Sequence, residues 1–258
     1  MHYDGIADKR VLVTAAGSGI GAVVAAQFSE HGAGVFGCDV TPDGVAAIAA
    51  QHGHDAAIMA NVADADQVDA LFDAATAKMG GLDIMIACAG VAGPTGKVQD
   101  ISPDEWDACV GVNLRSAYLS ARRAVPLLEA AGGGSLVLFS STAGLMGYPL
   151  RTPYAASKWA IIGLAKSISE EAGPQGVRVN AICPGAVAGA RMDGVIEREA
   201  AKTGQTPDQV RADYTAETAL HTFVDAEDLA ATILFMCSDA GRRIAGQAIT
   251  VDGHTLHL

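Results

Sequence analysis

Short runs of consecutive apolar residues recur along the whole chain, separated by longer stretches in which apolar and polar residues alternate with helical spacing. Strands covered on both faces stay apolar on both, so this rhythm predicts βαβ units stacked into a parallel sheet. The apolar runs predict strands at 11–14, 35–39, 56–60, 83–87, 135–140, 177–182 and 248–251. No linker interrupts them. The predicted fold class is α/β, a doubly wound parallel sheet of about seven strands with helices on both faces, in one domain spanning 1–258.

Helix starts fall between the runs. Ser102-Pro103-Asp104-Glu105 combines a capping Ser, a Pro at the first helical position and a Glu at the third. Thr206-Pro207-Asp208 and Asp225-Ala226-Glu227 open two further helices in the same manner. Between Pro184 and about Phe223 the rhythm breaks: helical pieces occur, with an interruption at Gly204 and no strand. Long excursions after a strand are usually functional, and the helical pieces predict an ordered substrate-binding lid at about 186–222.

Composition narrows the function classes. Among the 258 residues half are hydrophobic, 5% are aromatic and the 30 glycines show no period, as in an ordinary globular protein. The net charge of −12, without any run of Lys and Arg, argues against nucleic acid and acidic membranes as partners. Cys38, Cys88, Cys109, Cys183 and Cys237 are scattered with no CxxC, which suits a reducing cytoplasm rather than a disulfide framework. The close histidine pairs, His52 with His54 and His254 with His257, have no neighbouring Cys and read as solvated turn residues, so no metal is expected. MHYDGIADKR carries no apolar signal-peptide stretch, so the mature chain is expected to begin near Met1. No apolar run reaches the length of a membrane span.

After the first predicted strand comes Thr14-Ala15-Ala16-Gly17-Ser18-Gly19-Ile20-Gly21, then a helical run from Ala22. A Gly-rich strand-to-helix turn lets backbone approach a pyrophosphate, and the helix N-terminus supplies N–H donors. Asp39 ends the second predicted strand, about 20 residues further on, as the Rossmann dinucleotide fingerprint requires. A carboxylate there binds the adenosine ribose hydroxyls and repels a 2′-phosphate. With no Arg or Lys between Thr14 and Asp39, the expected cofactor is NAD. The competing role for Asp39 is capping of the turn into Thr41-Pro42-Asp43.

Ser141, Tyr154 and Lys158 follow the fifth predicted strand, the last two spaced i, i+4 on one helical face. A free phenol, with a pKa near 10, is a poor base at neutral pH. A neighbouring ammonium favours phenolate, so Tyr154 can exchange a proton with an alcohol while Lys158 lowers its pKa and holds ribose hydroxyls. Ser141 would donate a hydrogen bond to the substrate oxygen. The bland alternative is an exposed helix with a snorkelling Lys. Asn113, as a bare residue inside the helix begun at Ser102, reads as solvated. Arg191 is a candidate bidentate partner for an anionic substrate group, or a surface residue.

In combination, Thr14 to Gly21, Asp39, Asn61-Val62, Ala89-Gly90, Asn113, Ser141, Tyr154, Lys158, Pro184-Gly185, Gly246-Gln247 and Val251-Asp252-Gly253 resemble the short-chain dehydrogenase/reductase family over nearly the whole chain. The resemblance implies cofactor contacts by Gly17, Ser18, Gly19, Ile20, Asp39, Tyr154 and Lys158, with Asn61 and Val62 flanking the adenine. It further implies Ala89 and Gly90 beside the nicotinamide-side ribose, and Pro184, Gly185 and Val187 against the nicotinamide. Asn113 becomes a fourth catalytic residue holding a water that links Lys158 to solvent. Relatives are mostly tetramers or dimers, and the apolar stretch 244–258 suits such an interface. The chain departs from the family pattern at Ala15, where Gly is usual, at Ala87-Cys88, where asparagines are usual, and at Gly189, in place of Thr. For Ala15 the expectation is a slightly different turn, or a bend absorbed by Gly17.

The activity expected is NAD-dependent interconversion of a secondary alcohol (polyol, sugar or hydroxy acid) and its ketone. The alternatives are reduction of 3-oxoacyl thioesters on an acidic carrier protein, with Arg122-Arg123 as a basic patch, and an NAD-binding regulatory protein without turnover.

Overall fold

The computed structural model describes residues 3–256, so Met1 as the expected chain start and His257 of the second histidine pair lie outside the described residues. All seven predicted strands form: β1 (Arg10–Thr14), β2 (Gly34–Asp39), β3 (Ala57–Met59), β4 (Ile84–Ala87), β5 (Gly134–Phe139), β6 (Val177–Pro184) and β7 (Ala248–Val251). They make one sheet of order β3-β2-β1-β4-β5-β6-β7. Every pairing is parallel. The order reverses direction between β1 and β4, and in doubly wound sheets ligands bind beyond the carboxyl ends of the strands at such a switch point.

Alternation along each strand sends side chains to opposite faces. Leu12, Met85, Leu136 and Leu138 enter a core with Leu71, Phe72, Leu128 and Ile161, contributed by α3 (Ala65–Met79), α5 (Ser116–Ala130) and α6 (Thr152–Ala172). Val11, Val13, Ile84, Ile86, Val137 and Phe139 enter the other, with Val24, Phe28, Ile48, Leu229 and Ile233. These come from α1 (Gly19–Glu30), α2 (Pro42–His52) and α9 (Ala226–Cys237). Near-continuous apolar strands are thus consumed by two helical layers.

The three helix starts form as their sequences dictate. Ser102 and Glu105 close a reciprocal capping box at the head of α4 (Pro103–Val110). Thr206 and Gln209 do so for α8 (Pro207–Ala216), and Asp225 and Asp228 for α9. The helix begun at Ser102 reaches Ala130 only through a π turn at Gly111–Arg115, marked by an i→i+5 bond from the Ser116 N–H to the Gly111 carbonyl. Single π turns inside helices frequently mark functional positions. The excursion after β6 folds as α7 (Ala190–Thr203) and α8, the break falling at Gly204 in the left-handed region. Two isolated bridges pin it: Val187 pairs with Val224, and Thr218 with Thr255. Among the described residues no helix is long and apolar enough to cross a membrane.

The glycine turn does not bend as expected. Ala15 itself adopts φ 53°, and Gly17 is not among the left-handed residues. A left-handed conformation costs an L-residue roughly 1–2 kcal/mol. The added freedom that glycine gives the unfolded chain offsets about 0.4–1 kcal/mol of that. Ala15→Gly is therefore expected to stabilise the fold by about 0.5–1 kcal/mol, read as an upward shift of the urea midpoint at unchanged slope.

Candidate active site

The turn after β1 is built by close backbone approach. A Cβ on Gly21 would lie 2.1 Å from the Ala15 carbonyl oxygen, so the first turn of α1 packs directly on that carbonyl. A Cβ on Gly17 would lie 2.4 Å from Gly44 Cα. At the head of α1, Ser18 makes no side-chain cap and the first turn has no acidic residue, unlike α4 and α8. Its first N–H groups therefore lack the side-chain partners that α4 and α8 provide, and with the helix dipole they suit an anionic group. Asp39 is 9% exposed. Its Oδ2 accepts from the Gly17 N–H at 3.3 Å, and its Oδ1 from the Thr41 N–H and Oγ1 at 3.0 and 2.9 Å. One oxygen thus caps the turn into Thr41 while the other braces the glycine turn.

Beyond the carboxyl ends of β5 and β6, Ser141, Tyr154 and Lys158 converge on one cavity of about 660 Å³. Lys158 is buried, and its Nζ donates to the Phe139 carbonyl at 2.7 Å and lies 5.5 Å from the Tyr154 ring centre. Burial pushes the Tyr154 phenol up, but the charges of Lys158 and Arg191, a hydrogen bond with Ser141 and the charge of Arg151 outweigh it, holding the phenol below its ordinary value. Burial holds Lys158 below the ordinary lysine value, opposed by the neighbouring Tyr154. Ser141 Oγ accepts from the Ala143 N–H at 3.2 Å, which fixes its direction at the strand end.

Asn113 is not the solvated helix residue its bare sequence context suggests: it is 1% exposed, in the π turn. Its Oδ1 accepts from the Val91 N–H at 2.8 Å, and its Nδ2 donates to the Val91 carbonyl and toward Cys109 Sγ and Ser157 Oγ. Ser157 in turn donates to the Tyr154 carbonyl at 2.7 Å. Asn113 therefore ties the loop after β4 to the helix bearing Tyr154 and Lys158. Gly90 lies between them, and a Cβ there would be 3.0 Å from Asn113 Oδ1 and 3.6 Å from Lys158 Nζ. The same loop is anchored to β1 by the Ala89 N–H bonding Thr14 Oγ1 at 3.1 Å, so it is braced without asparagines at positions 87 and 88.

On the opposite wall, Val187 bridges Val224 through its neighbours: the Ala188 N–H donates to the Val224 carbonyl and the Val224 N–H to the Ala186 carbonyl. In a parallel bridge of this kind the N–H and C=O of Val187 itself point the other way. Gly189, the cap of α7, has φ 130°, a backbone that a threonine would strain, so the departure from the family residue accompanies a turn built for glycine. Ser18, Gly19, Ile20, Gly90, Pro184, Gly185, Val187 and Arg191 all line this cavity. Gly17, Asp39, Asn61, Val62 and Ala89 do not. Asn61 and Val62 follow β3 toward the sheet edge, where Asn61 is exposed with its Oδ1 accepting from the Ala63 N–H and Val62 is buried.

Arg151, Tyr148, Tyr214 and Glu199 belong to the site although no motif in the sequence marks them. Tyr214 Oη donates to Glu199 Oε2 at 2.8 Å, which leaves the Tyr148 hydroxyl as donor in the 2.8 Å contact between the two tyrosines. This relay joins α7 and α8 to the loop before α6. Arg151 caps α6 and stands 5.2 Å from the Tyr154 ring, and only its position three residues before Tyr154 marks it in the sequence. His52 also departs from expectation, because both ring nitrogens are buried without a hydrogen-bond partner rather than solvated. All five cysteines are free.

Residues 14–254 match a family model described as "Enoyl-(Acyl carrier protein) reductase". Among relatives, the chain is 30% identical to the 3-oxoacyl-[acyl-carrier-protein] reductase FabG of Thermotoga maritima, over 95% of this chain and 96% of that one. It is 32% identical to the cis-4-hydroxycyclohexanecarboxylate dehydrogenase of Sinomonas cyclohexanicum, over 97% of each. Its fold superposes on the crystal structure of levodione reductase with a TM-score of 0.89 at 27% identity, covering 96% of this chain and 97% of the other.

Proposed function

The chain belongs to the short-chain dehydrogenase/reductase family, and from that premise we propose that it interconverts a secondary alcohol and its ketone with NAD(H), Tyr154 exchanging the proton. That it is an oxidoreductase acting on CH–OH groups follows from the family and its named dehydrogenases. The observation that carries the proposal is the half-buried Tyr154 facing the cavity beside the buried Lys158, with the phenol held below its ordinary value.

The residues present fit a nicotinamide dinucleotide. The uncapped head of α1 at Gly19 and Ile20 suits the pyrophosphate, Asp39 the adenosine ribose, and Asn61 and Val62 the adenine. Lys158, with Ala89 and Gly90, suits the second ribose, while Pro184, Gly185 and the backbone of Val187 suit the carboxamide ring. When bound, that cofactor supplies the hydride acceptor for oxidation and the donor for reduction. In the oxidative direction Tyr154 takes the hydroxyl proton as the carbinol carbon loses hydride, and in the reductive direction it returns the proton. Lys158 favours phenolate by its charge, and Ser141 orients the substrate oxygen. Asn113 holds the loop after β4 against α6, and residues 186–222 act as the lid over the substrate.

The substrate class proposed is a polyol, sugar or hydroxy acid, and the hydroxycyclohexanecarboxylate dehydrogenase among the relatives supports the last. Reduction of carrier-bound 3-oxoacyl groups fits less well. Arg123 is paired with Asp69 and Asp73 at 2.8 and 2.6 Å, and Arg122 stands 3.9 Å from Asp69, so the basic patch is neutralised. A homo-oligomer, a dimer or tetramer, fits the half-exposed edge strand β7 and the exposed Tyr118 and Trp159 on α5 and α6.

Nicotinamide absorbance followed with NAD and a panel of polyols, sugars, hydroxy acids and ketones tests the activity. Tight NADH binding without turnover of any of them would favour the regulatory-protein alternative instead. The cofactor choice rests on Asp39. Hydrogen bonds to a charged group contribute about 1.5–3 kcal/mol. Asp39→Asn is therefore expected to lower the NAD-to-NADP ratio of kcat/KM by about tenfold or more. An unchanged ratio would reassign Asp39 to turn capping alone.

A further inference from the structure

We propose that Arg151 and Arg191 recognise a carboxylate on the substrate, so that the alcohol served by this cavity is a hydroxy acid; this deepens, and rests on, the assignment of the Tyr154 cavity as the alcohol site. Arg151 is 5% exposed and lines that cavity, yet it forms no ion pair among the described residues. Its Nη2 donates to the Ala92 carbonyl at 2.6 Å, and its Nε is buried with no hydrogen-bond partner. A guanidinium stays protonated, and burying one without a counter-charge is costly. Its neighbours are the faces of Tyr148 and Tyr154, with ring centres 5.9 and 5.2 Å from the guanidinium carbon.

Other arginines of the chain are treated differently. Arg10 pairs with Asp83, Arg123 with Asp69 and Asp73, and Arg211 with Asp193. Arg178, which has no carboxylate partner, donates instead to four backbone carbonyls and the Ser135 hydroxyl. In a chain of net charge −12, a buried arginine without an acid is contrary to the average surroundings.

Arg191, which forms no ion pair among the described residues, adds a second cation to the lining of the same cavity. It lies in the first turn of α7, where a positive charge opposes the helix dipole unless an anion is close. Its field reaches both Tyr154 and Lys158. Lys158 already donates to the Phe139 carbonyl. The carboxylate lining the cavity, Glu217, is exposed and pairs with neither arginine. Ala92, Met146, Met192 and Val195 add apolar surface to the lining, beside the hydroxyl-bearing Tyr148, Tyr214 and Thr218. Such a cavity takes an organic body carrying one planar oxyanion, the shape a guanidinium matches.

The test uses benzoate and benzamide, alike in shape and different in charge, titrated calorimetrically into the protein with and without NADH. Benzoate is expected to bind about tenfold tighter than benzamide. Arg191→Ala, an exposed change that leaves the fold intact, is expected to weaken benzoate about tenfold and leave benzamide unchanged. Arg151→Met should erase the preference and Arg151→Lys restore part of it. Equal binding of the two probes, or equal weakening of both in the variants, overturns the proposal. So does an Arg191→Ala protein that loses NADH affinity alone, because that would assign the arginine to the cofactor. Since binding is read rather than turnover, failure of the alcohol–ketone activity registers separately in the absorbance assay.

Discussion

Tyr154→Phe is expected to lower kcat by about 10³-fold in both directions while NADH affinity and the unfolding midpoint stay at wild-type values. A positioned acid–base group contributes typically 10²–10⁴-fold, and about 10³-fold corresponds to roughly 4 kcal/mol of lost transition-state stabilisation. The substitution removes one hydroxyl and leaves the ring that packs beside Arg151 and Lys158. A merely structural tyrosine would shift the unfolding midpoint and spare kcat. Stopped-flow turnover, NADH titration and urea unfolding on the same preparation separate the two.

The second large effect is expected at Lys158→Met, whose signature is a displaced pH profile. In the wild type, oxidation requires the phenolate, so kcat/KM for the alcohol rises with pH until Tyr154 has ionised, below the ordinary phenol value. Lys158 is the strongest of the influences holding the phenol down against burial. Without its charge the phenol moves up, the oxidative limb shifts to alkaline pH, and activity at neutral pH falls by about 10²-fold. Reduction requires the protonated phenol and declines through that same ionisation, so the variant should keep reductase activity to higher pH than the wild type. An equal fall at every pH, with the limb unmoved, would leave Lys158 a cofactor-holding role only.

The strands were legible because a parallel sheet packed on both faces writes itself as apolar runs, and the helix starts because capping boxes use a small vocabulary. The boundary errors have local causes. β6 runs two residues past its expected end, to Pro184, because Cys183 and Pro184 pair with Thr250 and Val251 of β7. Tyr154, Lys158 and Ser141 were legible as a group because their spacing survives in the chain. Asn113 was legible only through the family resemblance, and as a bare residue it reads as solvated, because its burial comes from contacts 22 and 44 residues away, to Val91 and Ser157. Arg151 carries no motif, and its isolation from acids exists only once α6, the loop before it and the excursion after β6 close around one cavity. Ala15 ran the other way: the sequence suggested that the bend would move elsewhere, yet the chain takes the left-handed conformation at Ala15, where its carbonyl must meet the first turn of α1 at Gly21.

Turnover is expected to follow the ionisation of Tyr154, below the ordinary phenol value. Ultraviolet difference titration of the wild type against Tyr154→Phe isolates this one phenol. A phenolate component titrating below 10 is expected, coinciding with the oxidative limb of kcat/KM and moving up in Lys158→Met. A difference spectrum that titrates at or above 10, or a kinetic limb that persists in Tyr154→Phe, would contradict it.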